Sequence, residues 1–339
     1  MAKRDLTLEL HSSPHLHSPL NVVTIMRNVI YALLPLCGFA VYAFGLSAVI
    51  LLATVSLTCL ATEQLFNRLA GKAGTLGDYS ALITGLLLAL TLPPGFPLWM
   101  GAVAGFVAIA MGKVLFGGLG HNVFNPALVG RAFVQVAFPV ATTTWHPAFT
   151  PDRFTTLADT SLTLPLLQPV TDAVSGATPL GQFKFGQQGA DIVDLLLGLH
   201  NGTLGETSAV LILLCGLYLA LRGILNWRIP AAVMLGASIT ASLFYLLGGS
   251  HYPDPAFVLC SGGLMLGAWF MATDPVGAPV TPLAIWLFGL LIGFLTVTIR
   301  LFGALPEGIM YAILLANALA PILDQLCQPR VYGHNGSSR

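Results

Sequence analysis

Along most of the chain, apolar residues run on in long blocks instead of alternating or recurring every third or fourth position. Blocks long enough to cross a bilayer as helix fall at about 29–45, 46–62, 97–116, 206–222, 229–248, 256–273 and 282–301. Shorter ones at about 80–93, 124–139 and 308–323 cannot cross without tilt or a break, and they read as half helices. Ten segments result, five on each side of a polar stretch at roughly 140–205. The pattern predicts an all-α polytopic membrane protein. Its parts are an N-terminal arm at 1–28, a first membrane repeat at 29–139, a loop at 140–205, a second repeat at 206–324 and a tail at 325–339.

The two halves resemble each other. Ala81–Pro93 parallels Leu259–Pro275, and a Pro-Leu pair (Pro97-Leu98, Pro282-Leu283) opens the next span in each. Gly117–Gly120 and Gly303–Pro306 then break the chain. Short helices carrying Asn125 and Asn317 are expected to close both repeats. Because five is odd, the second repeat should be inverted relative to the first, with interrupted helices meeting near the midplane.

Composition agrees: 55% of residues are apolar and only 8% charged, with a mean hydropathy of +0.82, against about a quarter charged in soluble domains. Fourteen basic and fourteen acidic residues leave no net charge to attract nucleic acid. The first 28 residues are polar, without an apolar core or small-residue cleavage site, so no signal peptide is expected in them. Lys3, Arg4, Arg27, Arg68, Lys72, Arg222, Arg228, Arg330 and Arg339 fall on one side of the expected topology. Only Arg153, Lys184 and Arg300 fall on the other. The positive-inside rule then puts both termini in the cytoplasm and the loop outside, in the periplasm of a Gram-negative cell. Within that loop, Ile192–Leu197 is expected to form a short helix lying on the membrane surface.

The loop holds the most distinctive pattern, Asp172-Ala-Val-Ser175-Gly176-Ala177-Thr178, followed by Pro179. Gly176 and Ala177 keep bulk away from the threonine, and Pro179 prevents a helix from running through it. An exposed Thr178 hydroxyl with room for a large substituent is expected. The pattern D-x-x-S-G-A-T resembles the acceptor site at which flavin transferases join FMN to a threonine through a phosphodiester. The plainer reading is a Gly/Ser turn in a loop.

Gly117–Arg131 contains the second group of candidates. Its glycines let the chain turn within the membrane, and Asn122 and Asn125 can satisfy backbone groups freed there. Asn125-Pro126-Ala127 starts a helix, and Arg131 adds a charge at membrane depth that needs an anion, a carbonyl or water. A flavin carbonyl would suit it, as would a purely structural hairpin. Asp78 and Asp274 each flank one of the matched repeat segments, which makes them candidates for the path of Na⁺ or H⁺. Lys113, Glu63 and Asp324, at other span ends, read as interfacial anchors. His11, His15 and His17 read as a docking arm. No metal site is expected, and no hydrolase triad, G-x-G-x-x-G fingerprint or Walker motif is present.

Ser13-Pro-His15 with Ile25–Pro35, Gly117–Phe133, Asp172–Thr178 and Gly198–Ser208 occur in the order of four signatures of one family. The chain resembles the family of the D subunit of the Rnf electron-transport complex and the B subunit of the sodium-pumping NADH:quinone reductase. Its length is closer to the Rnf branch. That resemblance implies a bacterial inner-membrane subunit that carries FMN covalently on Thr178 and a second, non-covalent flavin, riboflavin. It implies electron flow between ferredoxin and NAD⁺ coupled to Na⁺ or H⁺. The implied partners are iron–sulfur subunits, a G subunit with its own covalent FMN, and the flavin transferase. The alternative is a channel or secondary transporter, since inverted five-segment repeats serve solutes as readily as electrons.

Overall fold

The computed structural model describes residues 21–71, 74–165, 178–186, 190–206, 208–249 and 252–329. The described residues contain fourteen α-helices and no strand. The first half holds α1 Val22–Phe44, α2 Leu46–Leu69, α3 Ser80–Leu90, α4 Leu98–Ile109 with a π turn Ala110–Val114, α5 Pro126–Ala137 and the short α6 Pro139–Thr143. The connection carries α7 Pro179–Gly186 and α8 Ile192–Leu197. The second half holds α9 Ala209–Leu221, α10 Arg228–Gly248, α11 Pro255–Cys260, α12 Leu264–Leu266 with a π turn Gly267–Met271, α13 Pro282–Phe302 and α14 Ile309–Leu326. Five of these (α1, α2, α10, α13 and α14) are long and apolar enough to span a bilayer.

Helix ends fall where the local chemistry provides a stop or a start. Asn125 Oδ1 accepts from the Ala127 amide at 3.0 Å with Pro126 in the first turn, which starts α5 where the sequence expects it. Asp78 Oδ1 accepts from the Ser80 amide at 2.8 Å at the head of α3. The block expected at 256–273 is broken at Ser261–Gly263, where Gly262 has φ +65°, a left-handed value that glycine adopts without strain. One expectation fails outright. The last segment is no half helix: α14 runs for 18 residues through Pro321 to Leu326. Asp324 does not end it, because its carboxylate accepts from the Val280 and Thr281 amides at 2.9–3.1 Å and so caps α13.

Contacts with the central loop define the two sides. The turns α1–α2, α3–α4 and α13–α14 meet it through Arg153–Tyr42, Thr160–Gly95 and Lys184–Leu305. The turns α2–α3 and α4–α5, the segment ahead of α13 and the end of α14 lie on the opposite side. The first run of five membrane segments, taken as a whole, therefore enters from the opposite side and leaves on the loop side, and the second run does the reverse. Packing follows one scheme in both halves: α2 against α3 and α4, and α4 against α5, match α10 against α11 and α13, and α13 against α14. Between the halves, α1 meets α9 and α5 meets α14.

The closest approach is that of α10 to α13. A Cβ on Gly293 would overlap the Val233 carbonyl oxygen, and one on Gly236 would sit 2.6 Å from the Leu290 carbonyl oxygen. Gly293→Ala should therefore cost about 1–3 kcal/mol. Gly38→Ala, with nothing within 4 Å, should not destabilise. Thermal unfolding of both variants in detergent checks the contrast.

The loop carries its own titratable contact. His146 Nε2 lies 3.4 Å from Thr160 Oγ1, its Nδ1 is buried without a partner, and burial holds its pKa below the ordinary 6.5. Folding therefore favours the neutral ring. Its contribution is complete above about pH 6.5 and is lost as the pH falls toward the lowered folded value. Hydrogen-exchange protection of 144–163 should drop between pH 7.5 and 5.5, and His146→Leu should flatten that dependence.

Candidate functional site

On the side opposite the loop, a cavity of about 860 Å³, mouth included, opens between the halves. Ser80, Thr84, Lys113, Asn122 and Asn125 line it from the first half, and Trp269, Phe270 and Asp274 from the second. Asn125 Nδ2 donates to the Met271 carbonyl at 3.2 Å, tying the start of α5 to the end of the second π turn. Asn122 donates to the Phe124 carbonyl at 3.1 Å, and Asp274 lines the same cavity. Asn122, Asn125 and Asp274, separate candidates in the sequence, thus meet at one site. Trp269 Nε1, in the same wall, is buried and has no partner.

Lys113 closes one end of this cavity and lines a second one of about 720 Å³ with Glu63, Asn67, Thr75, Asp78 and His121. Its Nζ donates to Glu63 Oε1 at 2.7 Å and to Ser80 Oγ at 2.6 Å. Ser80 Oγ in turn donates to Asp78 Oδ1, and Thr75 Oγ1 donates to Glu63 Oε1, each at 2.5 Å. The reading of Lys113 and Glu63 as interfacial anchors is therefore corrected. They are only 3% and 2% exposed and pair with each other inside the protein. The π turn at 110–114 supplies the reason, because it swings Lys113 inward against α2. Asp78 and Asp274 face different cavities, with Lys113 between them.

Arg131 lies away from the two asparagines. It is 5% exposed and lines a smaller cavity of about 390 Å³ on the loop side, with Gln135, Thr142, Thr143, Trp145, Glu307 and Tyr311. Its Nη2 is 3.9 Å from Glu307 Oε2, and its Nη1 is buried without a partner. Glu206, also buried, accepts from the Thr203 amide at 3.4 Å. Arg300, close by, donates to the Val258 and Ser261 carbonyls at 2.7 and 3.0 Å and so closes the broken end of α11. No motif pointed to the pairing of Arg131 with Glu307. Glu206 stood in a recognised signature without a role, and Glu307 follows the Gly303–Pro306 break.

Thr178 stands at the head of α7. Its Oγ1 accepts from the Gly181 amide at 3.1 Å, and its carbonyl accepts from the Gln182 amide at 2.8 Å. The expected exposed hydroxyl is found 5% exposed, because capping the helix turns it toward the protein. Asp172, Ser175, Gly176 and Ala177 lie outside the described residues, as do His11, His15 and His17. Lys184, at the other end of α7, donates to the carbonyls of Arg300, Gly303 and Leu305 at 2.9, 2.5 and 3.0 Å. Leu180 and Phe183 of α7 pack with Leu195 of α8 against Phe257. The short helix expected at 192–197 is present, capped by Asp191.

An all-helical membrane protein of paired five-segment halves, with cavities and buried charges at their seam, is a class that includes both redox carriers and transporters. Sequence comparison selects within it. The model of the NQR2, RnfD, RnfE family matches residues 9–333, and the chain belongs to that family. It is similar to the D subunit of the Na(+)-translocating ferredoxin:NAD(+) oxidoreductase complex of Acetobacterium woodii, at 40% identity over 97% of this chain and 96% of that protein. The D subunit of the proton-translocating ferredoxin:NAD(+) oxidoreductase complex of Clostridium ljungdahlii is also 40% identical, over 96% of each. The D subunit of an ion-translocating oxidoreductase complex of Alcanivorax borkumensis is 38% identical, over 98% and 99%.

The Lys113–Glu63 pair yields a test. Lys113→Met alone strands a buried carboxylate and should cost about 3–5 kcal/mol, whereas Lys113→Met with Glu63→Met should recover most of that loss. Unfolding midpoints of the two single variants and the double variant measure the coupling.

Proposed function

We propose that the chain is the flavin-carrying membrane subunit of an ion-translocating ferredoxin:NAD⁺ oxidoreductase complex, with FMN joined to Thr178 by a phosphodiester. Family membership and the names of the full-length relatives support the complex. The observation that carries the flavin reading is the place of Thr178 itself. The threonine of D-x-x-S-G-A-T caps a helix that Lys184 pins to the second half, so its oxygen accepts from the Gly181 amide of the first turn. Such amides favour a phosphate. Because the hydroxyl is buried in the folded chain, this reading requires the transferase to meet the segment before α7 docks.

The cavity between the halves suits the second flavin, riboflavin. It is walled by Trp269 and Phe270, offers the amides of Asn122 and Asn125, and leaves the Trp269 indole N–H without a partner. Bound there, a flavin supplies one- and two-electron chemistry, and the surrounding polar groups set its potential. Arg131 lies in the other cavity and serves the covalent flavin's side of the protein. Asp78 and Asp274 border the two cavities on either side of Lys113 and are the candidates for the ion path. The two relatives at 40% identity are named for different ions, so kinship does not choose between Na⁺ and H⁺. In this reading the termini are cytoplasmic, the loop is periplasmic, and iron–sulfur subunits and a G subunit with its own covalent FMN complete the complex in the inner membrane.

Flavin fluorescence in a denaturing gel tests the anchor in the native host. Wild type should fluoresce and Thr178→Ala should be dark. A dark wild-type band beside an active transferase would transfer the case to a transporter without a redox cofactor. Asp78→Asn and Asp274→Asn should each lower ion pumping per electron in membrane vesicles, and unchanged pumping in both would remove the ion path.

A further inference from the structure

A flavin ring is flat and apolar with hydrogen-bonding atoms along one edge, so a seat for it needs apolar walls and a donor that has no other partner. A cavity of that kind lies beside α7 on the loop side. It measures about 710 Å³, mouth included, and is lined by Leu180, Phe183 and Lys184 of α7 and by Val258, Val297 and Arg300 of the second half. We propose that this cavity seats the isoalloxazine ring of an FMN carried on Thr178, with Arg300 Nε as its hydrogen-bond donor. Such a seat presupposes the reading of Thr178 as the flavin anchor; the cavity walls and Arg300 are the new assignments.

Arg300 is the residue that calls for a ligand. It is 6% exposed, and its Nη1 and Nη2 donate to the Val258 and Ser261 carbonyls at 2.7 and 3.0 Å. Its Nε is buried and has no partner, which a buried donor tolerates only at a cost. A bound water needs several polar neighbours. Lys184 is already spent, because its ammonium donates to the carbonyls of Arg300, Gly303 and Leu305. Leu180, Phe183, Val258 and Val297 are apolar. An acceptor on the edge of a flat apolar ligand satisfies Nε, and its face packs against those walls. Among the described residues no carboxylate lines the cavity, so Lys184 and Arg300 make it positive. Reduction places negative charge on the pyrimidine edge of a flavin. This seat therefore holds the reduced ring more tightly than the oxidised one and raises its potential.

The anchor and the cavity are neighbours. Thr178 caps α7, and Leu180, two residues on, already lines the cavity, which puts it within about one helical turn, 5.4 Å, of the threonine along the chain. A ribityl chain covers that span. Gly262, where a Cβ would overlap Leu180 and crowd Arg300, lets α7 dock against the break between α11 and α12. Docking then encloses the ring. The burial of Thr178 follows from the same order of events: the flavin is joined first, and α7 closes over it. The asparagine-lined cavity opens on the opposite side, so this seat is separate from the one suited to riboflavin.

The test uses the full chain, produced with its flavin transferase and purified in detergent, with Thr178→Ala as the blank. Fluorescence in a denaturing gel first establishes that flavin is attached. Spectroelectrochemistry of the signal that the blank lacks then compares wild type with Arg300→Lys, which keeps the charge and removes Nε. A tenfold weaker hold on the reduced ring should lower the potential by about 30 mV for a two-electron couple. If Arg300→Lys does not accumulate, Leu301→Phe decides, because it crowds the same cavity without touching Arg300. Iodide should quench the attached flavin of folded wild type several-fold less than that of Leu301→Phe, while both give equal bands in the denaturing gel. An attached flavin with an unmoved potential in Arg300→Lys, or with the same iodide quenching in Leu301→Phe as in wild type, would overturn the seat and leave the anchor standing. A dark wild-type gel band would overturn both.

Discussion

Wherever a helix stops inside a bilayer, it frees carbonyls and amides that no water can reach, and the rest of this structure follows from how the chain satisfies them. Arg300 closes the broken end of α11, Lys184 takes three carbonyls beyond α13, and Asn125 holds the end of the second π turn. Each of these partners comes from a distant part of the sequence. The breaks that give the protein its cavities are therefore also the points that lock its segments together.

The same requirement explains where charge is found. Arg153, Lys184 and Arg300, the three cations expected on the loop side, all donate to backbone carbonyls. Two further clusters lie inside the protein, Lys113 with Glu63 on one side of the seam and Arg131 with Glu307 and Glu206 on the other. Neither is a surface ion pair, and burying them costs more than an apolar core would. Such arrangements persist where they do chemistry, and a protein that moves electrons and ions has use for charges of both signs at depth.

Much of the architecture was legible because its causes are local. Long apolar blocks define membrane segments, Asn125-Pro126 defines a helix start, and an odd number of segments per half implies inversion. The misreadings share one cause, which is that pairing across the fold leaves no mark in a single segment. Lys113 at a span end looks like an anchor until α2 brings Glu63, fifty residues away, against it. Asp324 reads as an interfacial anchor because the Val280 and Thr281 amides it accepts from lie ahead of another helix. The burial of Thr178 depends on how α7 docks, which the residues around the motif do not encode.

The central loop belongs to both halves at once. Arg153, Thr160 and Ser161 bind the turns α1–α2 and α3–α4, while α7 and α8 are fastened to α11 and the α13–α14 turn. The stretch that joins these two fastenings ends at Thr178. If the halves rock against each other, as inverted repeats do, Thr178 rides with the second while the asparagine-lined wall of the deep cavity rides with the first. The gap between the two proposed redox positions would then be a coordinate of that rocking, and electron tunnelling, which falls steeply with distance, would sense the state of the ion path without any dedicated signalling element.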